Sequence, residues 1–267
     1  MIFAFYLQIW KMNKQSLLYQ KKILKKVALS VKEYAMITEG DKLIVGLSGG
    51  KDSLVLLDLL FLLRQNLPFH FEMMAVHVRS ESIPYETSIE YLKKFCIQRD
   101  IKLVVTNTVI DFSTDKRKTP CFLCSTTRRK SLFDAARLEN ASKVALGHHM
   151  NDAVETLLMN MMFNGSISSI PPKLSIFRGE IDIIRPLIGL TEKEIKEYAD
   201  KKEIQTQAKE CPFAEKTQRK AVKEIISQMA RIYPYSLQSI NTSMSRIFEE
   251  YLVQSTEKKP INEQNID

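Results

Sequence analysis

Ser48-Gly49-Gly50-Lys51-Asp52-Ser53 lies between two apolar runs and has the makings of a phosphate cradle. Leu43, Ile44 and Val45, after the turn-like Glu39-Gly40-Asp41, read as a buried strand, and Leu54 to Leu63 is long enough to be a buried helix. A strand that turns through glycines into a helix aims backbone N–H groups and the positive helix end at one point, which suits a phosphate. The glycines permit close backbone approach and the two serine hydroxyls donate. Lys51 offsets charge on a leaving pyrophosphate, and Asp52 is a candidate Mg²⁺ ligand. The plain alternative is a capped helix start in which Asp52 and Ser53 satisfy only the first helical N–H groups. Six consecutive residues in this context favour the nucleotide reading.

The second chemical feature is sulfur. Of the four cysteines, Cys121 and Cys124 form C-x-x-C after Pro120, with Lys116, Arg117 and Lys118 before them and Arg128, Arg129 and Lys130 after. That spacing suits one metal or cluster edge, or a redox pair. A thioredoxin-type pair is disfavoured by its place between the third and fourth predicted strands, and a structural zinc site needs four ligands, more than this chain offers. Cys211, in Glu210-Cys211-Pro212, is the third candidate ligand, because cysteine before proline is a common cluster context. Cys96 falls on the apolar face of a predicted helix and reads as core. Gly147-His148-His149 follows the fourth predicted strand, so one histidine is a candidate nucleotide or substrate contact and the other a packing residue. His77, ending the second strand, is expected near the adenine; His70 reads as incidental.

The hexapeptide resembles the PP-loop of the ATP pyrophosphatases, which split ATP to AMP and pyrophosphate and use the AMP to activate a carbonyl-like oxygen. It is not a Walker A loop, which needs glycine at Val45 and Ser or Thr at Asp52.

The elements that position these groups follow from periodicity. Strands are expected at Leu43–Val45, Phe71–Val78, Leu103–Thr106, Ser142–Leu146 and Ile181–Ile184. Helices are expected over 13–38, 54–63, 87–99, 124–138, 152–163, from Thr191 to Lys202, 215–230 and 235–252, with Thr191 and Glu194 forming a capping box. Alternation of this kind predicts an α/β fold with a doubly wound, parallel, five-stranded sheet and ligands at the strands' carboxyl ends. The expected organisation is a helical segment over 1–38, a nucleotide domain over 39–190, a helical extension over 191–254 and a disordered tail from 255. Leu17, Leu18, Ile23, Leu24, Val27 and Val31 form the expected apolar face of the first helix.

The 267 residues suffice for a full core, and 45% hydrophobic with 26% charged residues is ordinary for a globular chain. Lys+Arg at 39 against Asp+Glu at 31 gives +8, which favours an anionic partner without identifying it. Met1 to Trp10 is too short for a membrane span and lacks the features of a signal peptide, which makes Met12 a candidate start and the cytoplasm the expected location. Reduced thiols are expected there rather than disulfides.

Taken together, SGGKDS, Cys121-x-x-Cys124-Ser125 with Arg128-Arg129, Gly147-His148-His149 with Asp152 and Glu155-Thr156, Pro171-Pro172-Lys173, Arg185-Pro186-Leu187, Cys211 and Gln218-Arg219 resemble the tRNA 2-thiocytidine synthetase family. The resemblance runs from about Lys42 to Arg231. It implies an enzyme that uses ATP, Mg²⁺ and a [4Fe-4S] cluster to replace the 2-oxygen of cytidine 32 in tRNA with sulfur. By motif, Ser48, Gly49, Gly50, Lys51, Asp52 and Ser53 bind ATP, with Gly147, His148 and Asp152 beside them. Cys121, Cys124 and Cys211 hold the cluster. A sulfur donor such as a cysteine desulfurase and a homodimer are implied as partners, and no membrane is. The chain departs from the family pattern at Asn151, where many members are acidic, and at Met150, where arginine is usual, so a charged role there falls to Asp152 alone. A cluster-free persulfide relay on another base, and a non-catalytic RNA- or nucleotide-binding module of the same fold, remain as alternatives.

Overall fold

The computed structural model describes residues 2–82, 87–113, 119–207 and 218–252. Its strands are β1 (Lys42–Gly46), β2 (Glu72–Ser80), β3 (Lys102–Thr108), β4 (Lys143–Ala145), β5 (Lys173–Ile176) and β6 (Ile181–Ile184). Its helices are α1 (Ile2–Glu33), α2 (Lys51–Asn66), α3 (Ile89–Ile97), α4 (Pro120–Leu138), α5 (Met150–Met159), α6 (Glu192–Lys201), α7 (Gln218–Ile232) and α8 (Ser236–Ser243). A π-helical turn, Asn160–Asn164, ends the α5 run, and a 3-10 turn occupies Glu249–Tyr251.

The strands form one sheet in the order β3-β2-β1-β4-β6-β5. Val45 of the central β1 faces Ala75 on one side and Ala145 on the other, both in parallel register. The chain order reverses between β1 and β4, and β1 and β4 both end in glycine-containing turns there, which opens a crevice at their carboxyl ends.

Alternation along β1 supplies two cores. Leu43 and Val45 pack with α1, α2, α3 and α6 residues on one face, and Ile44 packs with Met74, Val76, Leu132 and Ala136 on the other. The α1 side chains Ile23, Val27 and Val31 belong to the first core, whereas Leu17 and Leu18, expected on the same face, are exposed. Two buried polar nodes brace this arrangement. Arg99 Nε donates to Asp58 Oδ1 at 2.8 Å and Tyr198 Oη donates to Asp58 Oδ2 at 2.6 Å, which joins α2, α6 and the turn after α3. Lys143 Nζ lies 2.7 Å from Asp41 Oδ2 and donates to Met36 O.

The expected five-stranded parallel sheet needs correction by one strand. β5 pairs antiparallel with β6. It is four residues long and follows two prolines, too short a run to show a period, and a turn with Phe177 at φ 52 and Arg178 at φ 58 joins the pair. Helix boundaries shift as well. α1 begins earlier and ends sooner than 13–38, because the chain breaks at Ala35 with φ 45. α4 begins at Pro120, not 124. The helix expected over 235–252 stops at Ser243. α7 and α8 pack against α5. Among the described residues no helix is long and apolar enough to cross a membrane.

Candidate active site

The loop between β1 and α2 is built by its own side chains. Ser48 N donates to Ser53 Oγ at 3.1 Å, Gly50 N donates to Ser48 Oγ at 3.3 Å, and Ser53 Oγ donates to Gly50 O at 2.9 Å. Gly49 has φ +81, and a Cβ there would stand 2.4 Å from Thr87 Cγ2, so both the conformation and the space demand glycine. Neighbouring connections hold the loop's carbonyls outward. Leu47 O accepts from His77 Nδ1 at 2.7 Å, Ser48 O from Thr87 Oγ1 at 3.4 Å, and Gly49 O from Gln207 N at 3.0 Å. His77 is buried, and it is absent from the residues that line the crevice because it projects from the opposite face of β2 to Val76 and Val78.

The crevice is a cavity of about 310 Å³. Its walls include Ser48, Gly50, Asp52 and Ser53 from the loop, Gly147, His148 and Asp152 from the turn after β4, and Ser125, Arg128 and Arg129 from α4. Gly147 is tight because a Cβ there would lie 3.0 Å from Asp52 C and 3.1 Å from Ser53 N, both backbone atoms. Lys51 Nζ lies 2.6 Å from Asp52 Oδ1.

C-x-x-C occupies the first turn of α4. Thr119 caps that helix by accepting from Phe122 N at 3.3 Å, and Pro120 starts it, where its missing N–H costs nothing. Cys121 is exposed and Cys124 partly buried, three apart and so on one helix face. The next turn carries Ser125, Arg128 and Arg129 into the cavity. Cys211, like Lys116, Arg117 and Lys118, lies outside the described residues. The chain before Cys211 reaches the loop at Gln207, and α7 after it meets α5. Among the described residues, no group of three or more His, Cys, Asp or Glu is placed to hold a metal. Cys96 is buried core, as expected, and burial pushes its thiol up to about 11.

The turn after β4 concentrates buried polarity. Burial, helped by the Arg185 guanidinium, pushes His148 down to about 4, so it is neutral at pH 7. Its Nδ1 has no hydrogen-bond partner among the described residues, and neither do Arg185 Nε and Glu155 Oε2. Arg185 donates from Nη1 to Pro171 O at 2.6 Å, and burial, with Arg129 nearby, lowers it to about 10. Burial raises Glu155 against the opposing pull of Lys223 and Arg219. Asp152 Oδ2 accepts from His149 N at 2.9 Å, and Arg219 Nη1 lies 3.6 Å from Asp152 Oδ1. Asn151 turns away from the cavity: its Oδ1 accepts from Glu192 N at 2.9 Å, adding a cap to α6. Thr87, Gln207 and Glu192 were not foreseen. Single polar residues in connections distant along the chain leave no local pattern.

A model of the PP-loop domain matches residues 19–229. Curated relatives named tRNA-cytidine(32) 2-sulfurtransferase include that of Shewanella baltica, 38% identical over 84% of this chain and 74% of its own. That of Histophilus somni is 37% identical over 93% of this chain and 79% of its own. The chain belongs to the PP-loop tRNA-cytidine(32) 2-sulfurtransferase family. Among solved structures, the U34-tRNA thiolase NcsA from Methanococcus maripaludis, with its [4Fe-4S] cluster, shares the fold of this family member at a TM-score of 0.71, with 24% identity over 86% of this chain and 79% of its own. The expected doubly wound α/β class agrees with that likeness.

Proposed function

We propose that this chain is a cytoplasmic, ATP-dependent tRNA thiolase that adenylates the 2-oxygen of cytidine 32 and exchanges that oxygen for sulfur. The observation that carries the reading is the shared cavity: the α4 turn that follows C-x-x-C lines the same crevice as Ser48, Gly50, Asp52 and Ser53.

In this reading Ser48 to Ser53 hold the β- and γ-phosphates, and Lys51 neutralises charge as the bond from the α-phosphorus to pyrophosphate breaks. The cytidine oxygen attacks that phosphorus, and the nucleotide base becomes linked to AMP, a good leaving group. Asp52 and Asp152, both on the cavity wall, are the carboxylates that would hold Mg²⁺. Neutral His148 presents an imidazole that binds without adding charge. Arg128 and Arg129 meet phosphate near the sulfur site, and an unpaired loop base reaches the cavity at little unstacking cost.

Cys121, Cys124 and Cys211 would hold a [4Fe-4S] cluster, whose chemistry when bound is to supply sulfide. Two of these thiols share one helix face beside the cavity, which fits the edge of a cluster. A cysteine desulfurase is the class of donor that replenishes the sulfur, and a homodimer is the proposed assembly. Cys211→Ala in anaerobically purified protein should abolish formation of 2-thiocytidine in tRNA while leaving binding of a non-hydrolysable ATP analogue unchanged. Retained thiolation would remove the three-cysteine reading. A colourless, fully active preparation without iron or labile sulfide would favour persulfide relay instead.

A further inference from the structure

A chain of ion pairs joins the phosphate loop to the helical extension. Lys51 Nζ lies 2.6 Å from Asp52 Oδ1 and 3.7 Å from Glu192 Oε1. The other oxygen of Glu192 lies 3.8 Å from Lys223 Nζ on α7, and Lys223 lies 3.7 Å from Glu155 Oε1. Arg219 Nε is 3.4 Å from Glu155 Oε2, and its Nη1 is 3.6 Å from Asp152 Oδ1. The His149 ring lies between the two ends of this chain, with Nδ1 3.4 Å from Asp152 Oδ2 and Nε2 3.8 Å from Asp52 Oδ1.

Glu192 is where the chain of charges leaves the phosphate loop. It is the first residue of α6, its backbone N–H is fixed by Asn151, and its carboxylate stands at the positive end of the helix. Its two oxygens are divided between two lysines. A negative charge this close to Lys51 competes with any phosphate for the ammonium, and a cation on the far oxygen weakens that competition.

We propose that Glu192 is a positioning residue for Lys51, and that Lys223 sets how firmly Glu192 holds it. This rests on the reading that Lys51 moves onto the phosphates of ATP. Glu192 keeps the ammonium at the mouth of the cradle and fixes its line of approach. Lys223 shares the carboxylate, so the ammonium is released when nucleotide arrives. The helical extension thereby takes part in the nucleotide site through charge, without touching the ligand.

The test uses full-length protein at low, fixed salt, with the Kd of α,β-methylene-ATP measured by calorimetry and the kcat of AMP release measured with tRNA. Glu192→Gln, which keeps shape and loses charge, should tighten binding by roughly two- to five-fold, the range expected of partly exposed pairs, while lowering kcat. Lys223→Met, at a half-exposed position on α7, should weaken binding roughly two-fold in the native background and leave it unchanged in the Glu192→Gln background. A merely structural Glu192 lowers the melting temperature without tightening binding. Unchanged or weaker binding in Glu192→Gln, or a Lys223→Met effect that persists in the double variant, would overturn the proposal. Lys51→Ala is the control. If it binds the analogue as tightly as the native protein, the phosphate-contact reading of Lys51 fails, and the assignment of Glu192 fails with it.

Discussion

Gly49 carries the sharpest constraint in the phosphate loop. Its φ of +81 costs a side-chain-bearing residue about 1–2 kcal/mol, and the added methyl would overlap Thr87 Cγ2. Gly49→Ala should weaken ATP-analogue binding at least ten-fold. Thr87→Ser removes Cγ2 but keeps the hydroxyl bonded to Ser48 O, so the double variant should recover part of that loss; equal Kd values for the single and double variants would show that the clash is not the cause. His148 makes a second residue-level prediction. Its native value is depressed to about 4 from 6.5, so between those values the unfolded chain takes up a proton that the native one refuses. The contribution to stability is thus present above pH 6.5 and lost as pH falls toward 4. His148→Gln should show a flatter melting temperature across that window. Glu155, raised by burial, contributes with the opposite sign, and subtracting the variant's profile from the native one isolates His148. The hexapeptide was legible because its parts are contiguous and face one point. The outward anchors His77, Thr87 and Gln207 were not, because each acts through a carbonyl on another segment.

At the level of elements, caps decide where the chemistry is presented. Thr191 and Glu194 announce the start of α6 in the sequence, and the reciprocal bonds form: Thr191 N donates to Glu194 Oε2 at 3.0 Å and Glu194 N to Thr191 Oγ1 at 3.3 Å. Asn151 adds an acceptor to the same helix end, a role invisible in sequence because its partner is 41 residues on. Asn151→Ala should therefore lower stability by about 1 kcal/mol in urea denaturation, the usual cost of a lost cap. The Asn151 side chain faces α6 and is absent from the residues that line the cavity. α4 shows the reverse case. The expected start at 124 left Cys121 in a loop, but Thr119 and Pro120 start the helix a turn earlier and put both thiols on it. A proline beside a glycine-free polar stretch reads equally as loop or as first turn, and only the cap distinguishes them. The edge strand β5 escaped for a related reason, since four residues, three half-buried and Ser175 exposed, carry no usable period.

For the molecule as a whole, alternation of apolar strands and helices was enough to give the fold class, while the order of strands was not, because pairing partners are chosen across the sheet. The helices on the α2 face depend on one buried carboxylate. Asp58 accepts from Arg99 and Tyr198, and Arg99 also stacks 3.5 Å from the Phe95 ring centroid. Asp58→Ala strands a buried guanidinium and should cost about 3–5 kcal/mol, whereas Tyr198→Phe, which leaves one carboxylate oxygen unmet, should cost about 1–3 kcal/mol; urea denaturation separates the two. Neither change touches the cavity, so analogue binding at 10 °C should persist in whatever fraction remains folded. The cavity itself is walled largely by turns and helix starts at the point where strand order reverses, while the strands supply its floor. Such a layout divides the labour: the buried strands fix where the floor lies, while short connections choose what the walls offer a ligand, so a change in one connection alters recognition without disturbing the sheet beneath.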